Sequence, residues 1–289
     1  MQKETHILTI ICPDRTGIAA RVFGAVADEG GFVVEAAQFG DPMSGLFFMR
    51  IVFTTQTAEP ARETLKQHFA PLAAEFDMRW KLYDGDRPAR VILAVSKESH
   101  CLNDLLQRWR TGLLNVDIAA VVSNHEDMRD FVEWNGIPYY CFPLPKGSSF
   151  EEKREQENKI LALADGLNID LLILARYMQI LSDEMCHALT GRCINIHHSF
   201  LPSFKGARPY HQAYERGVKL IGATAHYVTG DLDEGPIIEQ AVERVDHTDT
   251  PEKLVSMGKD LENIVLARAV RYHVERRVLL NGRRTVVFK

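Results

Sequence analysis

Residues 191–206 read Gly-Arg-Cys-Ile-Asn-Ile-His-His-Ser-Phe-Leu-Pro-Ser-Phe-Lys-Gly. An apolar segment ends in Asn195-Ile196-His197, and a loop containing Ser, Pro and Gly follows at once. Successive side chains of a strand point to opposite faces, so Asn195 and His197 share one face and Ile196 takes the other. The pattern predicts an amide beside an imidazole at the carboxyl end of a strand, where open α/β sheets bind ligands. The amide can donate to a developing oxyanion, and the imidazole can move a proton near neutral pH. An isolated Asn-x-His reads equally well as a buried polar pair that anchors a strand. The specific loop behind this one, residues 198–206, favours a site.

Two further segments place polar groups near predicted strand ends. Asp231-Leu232-Asp233-Glu234-Gly235-Pro236 is an acidic turn that, alone, reads as solvated and lacks the ligand spacing of an EF-hand calcium loop. Leu174-Ala175-Arg176-Tyr177-Met178-Gln179-Ile180-Leu181 runs from a strand into a loop and, alone, reads as apolar core. No metal is expected. His197 and His198 are adjacent, and no third ligand at helical spacing accompanies them.

The elements that must position these groups follow from periodicity. Strands are predicted at 6–12, 32–39, 46–53 and 78–83. Ile18, Val22 and Val26 mark one amphipathic helix, which Gly30-Gly31 stops. Leu65, Phe69, Leu72 and Phe76 mark a second. The order β-α-β-β-α-β is that of the ferredoxin-like unit. The polar stretch Asp84-Gly85-Asp86-Arg87-Pro88 is read as a linker, dividing the chain into 1–83, 84–88 and 89–289. Beyond it, strands at 90–95, 117–123, 137–142 and 170–175 alternate with helices at 101–111, 127–134, 150–166 and 182–189. That alternation predicts a doubly wound, mostly parallel Rossmann-like sheet with helices on both faces. A helix at 208–216, strands at 221–228 and 236–241, a helix from Thr250-Pro251 to about 276 and a hairpin at Asn281-Gly282 complete the reading.

Composition bounds the class. The chain has 289 residues, 46% hydrophobic and 25% charged, the ordinary make-up of a soluble globular protein. A net charge of -5 argues against a general nucleic-acid binder. The five cysteines are widely spaced with no CxxC, which predicts reduced thiols and a cytoplasmic location rather than a disulfide framework. The most apolar stretch, 159–181, is broken by Asp165, Asn168, Asp170 and Arg176, so no membrane span is expected.

Taken together, Asn195-x-His197, the Ser-x-Leu-Pro-Ser-Phe-x-Gly run from Ser199, the Leu232-Asp233-x-Gly235-Pro236 turn and Leu-Ala-x-x-Met-x-Ile-Leu resemble one family. It is the formyltransferase fold that uses 10-formyltetrahydrofolate, shared by glycinamide ribonucleotide transformylase and methionyl-tRNA formyltransferase. The resemblance covers roughly 88–289. It implies a catalytic trio of Asn195, His197 and Asp233. It also implies that the backbone of Met178, Gln179, Ile180 and Leu181, and of Val228, Thr229, Gly230 and Asp231 through Asp233, holds the pterin ring. Folate would be the substrate, with no tightly bound cofactor.

Departures from the family pattern bear on the formyl acceptor. In glycinamide ribonucleotide transformylase a Gly/Ser-rich loop after the first strand cradles the substrate phosphate. The equivalent place here reads Ser96-Lys97-Glu98-Ser99-His100-Cys101-Leu102, without glycine and with added acidic charge. The extra nucleic-acid domain expected of a tRNA transformylase is not evident. The Lys97-x-x-His100-Cys101-Leu102 variant resembles the formyltetrahydrofolate deformylases, which implies water as acceptor and places Lys97 and His100 near the substrate. The N-terminal unit looks like an ACT domain, with Cys12-Pro13-Asp14-Arg15-Thr16-Gly17 at its first turn. That likeness implies an amino-acid effector near Asp14, Arg15, Thr16 and Gly17, and a homo-oligomer formed by ACT pairing. The activity implied is hydrolysis of 10-formyltetrahydrofolate to formate and tetrahydrofolate, which supplies formate for purine synthesis and balances one-carbon pools. The alternatives are formyl transfer to a small amine such as glycinamide ribonucleotide, and a non-catalytic folate or amino-acid sensor.

Overall fold

The computed structural model describes residues 3–55, 61–201 and 209–289, and the chain divides into two compact units. The N-terminal unit begins with β1 (Glu4–Pro13), α1 (Ile18–Asp28), β2 (Phe32–Asp41), β3 (Leu46–Thr55), α2 (Ala61–Glu75) and β4 (Arg79–Asp84). Its four strands lie in the order β2-β3-β1-β4, antiparallel throughout, as the ferredoxin-like reading requires. Gly17 adopts a left-handed backbone, φ 92°, that lets the chain turn straight from β1 into α1. Ile18, Val22 and Val26 are then buried against Leu8, Ile10, Met49 and Ile51.

The second unit covers residues 89–271. Its elements are β5 (Ala89–Val95), α3 (His100–Arg110), β6 (Val116–Ser123), α4 (Arg129–Trp134), β7 (Tyr139–Cys141), α5 (Phe150–Gly166) and β8 (Leu171–Leu174). They continue with α6 (Asp183–Ala188), β9 (Cys193–His197), α7 (Pro209–Glu215), β10 (Leu220–Tyr227), β11 (Ile237–Arg244) and α8 (Pro251–Val274), whose last turn crosses the unit boundary. The seven strands lie in the order β11-β10-β9-β8-β5-β6-β7. The run from β9 to β7 is parallel, and β10 is antiparallel to both β9 and β11. Both faces of the central strands are covered, so β8 is an unbroken apolar run and β5 is apolar from Val91 to Val95. Ile92, Leu93, Leu172 and Ile173 are fully buried, each contributing about 2 kcal/mol by removal from water. The chain fills β6 and β7 on one side of β5, then returns to place β8 and β9 on the other. The loops after β5 and β8 therefore part company, which is the switch point where such sheets take ligands. Local chemistry fixes the helix starts. Ser149 and Glu152 form a reciprocal capping box on α5, and Thr250 Oγ1 accepts from Lys253 N at the start of α8.

The chain closes with β12 (Val278–Asn281) and β13 (Arg284–Val287), the predicted hairpin, with Gly282 left-handed at φ 62° in its turn. The sequence division assigned this tail to the second unit, as part of 89–289. The structure instead places 272–289 with the N-terminal unit. The reason is a second, small core: Leu279, Val286 and Phe288 cover Phe48, Ile11, Ala37 and Leu46 on a face of the N-terminal sheet. Polar contacts pin it. Arg277 Nη1 donates to Glu35 Oε1 at 2.8 Å, and Asn281 Nδ2 donates to Asp41 Oδ2 at 2.7 Å. No helix among the described residues is long and apolar enough to cross a membrane.

Candidate active site

Antiparallel pairing of β9 with β10 sets Asn195 opposite His226 and His197 opposite Thr224. Directly opposed residues share a face, so these four side chains stand together on one side of the sheet. Asp233 is brought to them by the loop between β10 and β11, where it takes a left-handed backbone, φ 58°. Gly235 makes that reversal possible: a Cβ there would lie 1.7 Å from the Tyr227 carbonyl oxygen. The result is a polar group at the carboxyl end of β9. His197 Nδ1 lies 3.3 Å from Asp233 Oδ2, and His226 Nε2 lies 3.7 Å from Asp233 Oδ1. The sequence-predicted trio Asn195, His197 and Asp233 thus meets in one place.

Hydrogen bonds fix the orientation of each group. His226 Nδ1–H donates to the Tyr227 carbonyl at 2.9 Å; in the neutral ring Nε2 is left to accept from Asn195 Nδ2 at 3.3 Å, and in the protonated ring it faces Asp233 as a cation. The Asn195 amide is thereby turned with its other N–H free to donate. His197 Nε2 meets Ser199 Oγ at 2.9 Å. The loop after β9 is stapled to β10: Thr224 Oγ1 donates to Ser199 O, and Leu201 N donates to Thr224 Oγ1. Burial works to raise the Asp233 carboxyl, but hydrogen bonds and charge from His197 and His226 outweigh it and hold the group well below the usual carboxylate range. Asp233 is therefore an anion at any working pH, ready to orient an imidazole or a water.

A cavity of about 300 Å³ opens over this group. Met178, Gln179, Ile180, Leu181, Val228, Thr229 and Gly230, the residues that the family resemblance nominated, line it beside the trio. Met178 and Ile180 are about half exposed, an apolar rim suited to a flat ring. The N–H groups of Met178 and Val228 are already donated, to Ser96 Oγ and Cys193 O, so the loop is built before any ligand arrives. Three predicted substrate residues stand elsewhere. Asp231 is exposed and outside the lining, its carbonyl accepting from Thr229 Oγ1. Lys97 is exposed and likewise outside it. His100 is turned to Glu262, with Nε2 2.8 Å from Oε2. Of the loop motif, Pro202, Ser203, Phe204, Lys205 and Gly206 lie outside the described residues, as does the predicted helix start at 208.

Sequence reasoning did not reach His226 or Glu262, and it named Arg176, His198 and Ser199 only as parts of their motifs, without a role. Glu262 is a buried carboxylate that accepts from His100 and from Tyr210 Oη at 2.9 Å, with Arg176 Nε 3.4 Å away. His100, Cys101 and Glu262 come close enough together to hold a metal ion. Their donors are engaged with one another, however: burial pushes the Cys101 thiol far above its usual range, and the Arg176 guanidinium already balances the carboxylate. In the N-terminal unit, Asp14, Arg15, Thr16 and Gly17 form an exposed turn, with Asp14 N donating to Gly45 O.

A Rossmann-like sheet with an Asn/His/Asp group at the carboxyl end of β9, beside an open apolar cleft, defines the class: residues 89–270 match the formyl transferase family model, and residues 6–70 match the ACT domain model. Relatives narrow it. A formyltetrahydrofolate deformylase of Corynebacterium sp. is 48% identical over 288 residues, covering 100% of this chain and 99% of the relative. One from Bacillus subtilis is 47% identical, covering 97% of this chain and 93% of its own. The crystal structure of a formyltetrahydrofolate deformylase from Burkholderia mallei superposes with a TM-score of 0.93 at 49% identity, covering 99% of this chain and 100% of that one. The chain belongs to the formyltetrahydrofolate deformylase family.

Proposed function

We propose that the protein hydrolyses 10-formyltetrahydrofolate to formate and tetrahydrofolate, with His197 as acid/base, Asn195 as oxyanion donor and Asp233 positioning His197 or the water. The observation that carries this reading is the meeting of Asn195, His197 and Asp233 at the mouth of a cleft with an apolar rim. Water oxygen attacks the formyl carbon, and the carbonyl oxygen becomes anionic. The free N–H of Asn195 stabilises that oxygen; one such donor is typically worth about 3 kcal/mol of barrier. The proton leaving the water passes by way of Asp233 and His197 to the folate nitrogen, the carbon–nitrogen bond breaks, and formate departs.

The segment after β5 supports water as the acceptor. Ser96 Oγ donates to Asn124 Oδ1, Glu98 pairs with Lys259 at 2.7 Å, and His100 faces Glu262. These side chains bind one another rather than form a cradle for a phosphate. The exposed turn at Asp14, Arg15, Thr16 and Gly17 supports an amino-acid effector site in the ACT unit, whose pairing would give a homo-oligomer. Free cysteines throughout the described chain fit a cytoplasmic setting.

The test is direct. Purified protein incubated with 10-formyltetrahydrofolate alone should release formate and tetrahydrofolate in equal amounts. Formate or formyl product that appears only when glycinamide ribonucleotide or another amine is added would overturn the hydrolytic reading.

A further inference from the structure

We propose that His198 selects water over amines as the formyl acceptor by donating its Nε2–H to the attacking atom. The inference rests on the hydrolytic reading above and deepens it.

Arg176 Nη1 lies 2.6 Å from His198 Nδ1. Arginine has donors and no acceptor, so Nδ1 must present its lone pair and the single proton of the neutral ring sits on Nε2. Burial, then the neighbouring Arg176 and His197, push the His198 pKa down to about 4, so the ring is neutral at working pH. Arg176 is itself held in place. Its backbone is left-handed, φ 67°, and its guanidinium is anchored by the buried Glu262, which Tyr210 and His100 also grip. The His198 ring stacks on that of His197, with centroids 5.1 Å apart and planes 22° from parallel, and both rings line the cavity beside Asn195 and Asp233. Among the described residues, nothing accepts from His198 Nε2.

A fixed donor at the acceptor position discriminates by lone-pair count. Water has two lone pairs. One accepts Nε2–H from His198, and the other attacks the formyl carbon. The new carbon–oxygen bond forms, one water proton moves by way of Asp233 and His197 to the folate nitrogen, and the carbon–nitrogen bond breaks. The second water proton leaves with formic acid and is lost to solvent, giving formate. A neutral amine has one lone pair, so an amine nitrogen that accepts from His198 has nothing left to attack with. An ammonium would in addition face the Arg176 guanidinium.

The experiment compares the wild type with His198→Leu, which removes the donor, and His198→Gln, which restores an amide N–H near the Nε2 position. Each is given 10-formyltetrahydrofolate with hydroxylamine or glycinamide, and formate and formylated amine are measured together. Thermal melting and folate binding show that each variant is folded; if the leucine variant is not, His198→Ala replaces it. His198→Leu should release formate about 100-fold more slowly, the usual loss for one such donor. Its ratio of formylated amine to formate should rise about tenfold or more, with the folate KM little changed. His198→Gln should recover most of the hydrolysis and keep the ratio low. The proposal is overturned if the donor-free variant hydrolyses at the wild-type rate, if it slows with an unchanged ratio, or if leucine and glutamine behave alike. Failure of the hydrolytic reading itself shows separately, as a wild type that releases no formate from substrate alone.

Discussion

Asp233 shares its two oxygens between the imidazoles of His197 and His226, and that division organises the chemistry. Because these partners hold its carboxyl far below the ordinary value near 4, Asp233 stays charged across the working range. Carbon-13 NMR of labelled Asp233 should show no carboxyl titration between about pH 4 and 8; a midpoint inside that window would contradict the arrangement. His197→Ala should lower kcat by about 1,000-fold while folate binding, read by fluorescence quenching, persists. Asn195→Ala should cost between about 100- and 1,000-fold in kcat, as expected for one oxyanion donor. Asn195 and His197 were legible in the sequence because they sit two apart on one strand. His226 was not, since it stands 31 residues from Asn195 and reaches it only through antiparallel pairing, which no local pattern encodes.

The loop between β10 and β11 does the positioning at the next scale up. Gly235 sits so close to the Tyr227 carbonyl that any side chain must push the loop away. Gly235→Ala should therefore destabilise the protein by about 2 kcal/mol, read by denaturant melts, and should lower kcat further by shifting Asp233. A variant with native stability and full activity would show that the loop tolerates the shift. Element identities came through well in the sequence, because the period of about four residues is strong in α1 and the central strands β5 and β8 are short apolar runs. The reversed direction of β10 within an otherwise parallel run did not, since strand direction depends on the connection and not on the residues of the strand. Lys97 and His100 lie outside the cavity lining, and for His100 the reason is a related one. His100 is claimed by Glu262, 162 residues away, a partner that periodicity cannot nominate.

The two units are interleaved along the chain, and Asp41 anchors the later part of the first. It accepts from Ser44 Oγ, Asn281 Nδ2, Met43 N and Arg284 Nη2, and the bonds from Ser44 and Asn281, opposed by burial and aided by Met43 and Arg284, bring its pKa down to about 2. A depressed carboxylate contributes stability above its unfolded pKa, near 4, and loses it as pH falls through the folded value. Amide protection factors in β12 and β13 should therefore fall between pH 4 and 2 in the wild type, and should already be low at pH 5 in Asp41→Ala, with β5 to β9 unaffected. Equal protection of the hairpin in both proteins would remove Asp41 as its anchor. The sequence division missed this interleaving because the polar stretch at 84–88 marks where the first unit is left but carries no sign that the chain returns to it.

That return has a consequence for how the protein is made. Translation delivers β1 to β4 first, yet the residues that cover Phe48, Ile11 and Leu46 are delivered only after the whole of 89–271 has been synthesised. At about 5–20 residues per second, that sheet face waits for roughly ten seconds or more with its apolar side chains open to water. The nascent chain thus carries a sticky surface throughout the synthesis of the second unit, and the last hairpin is the cap that retires it.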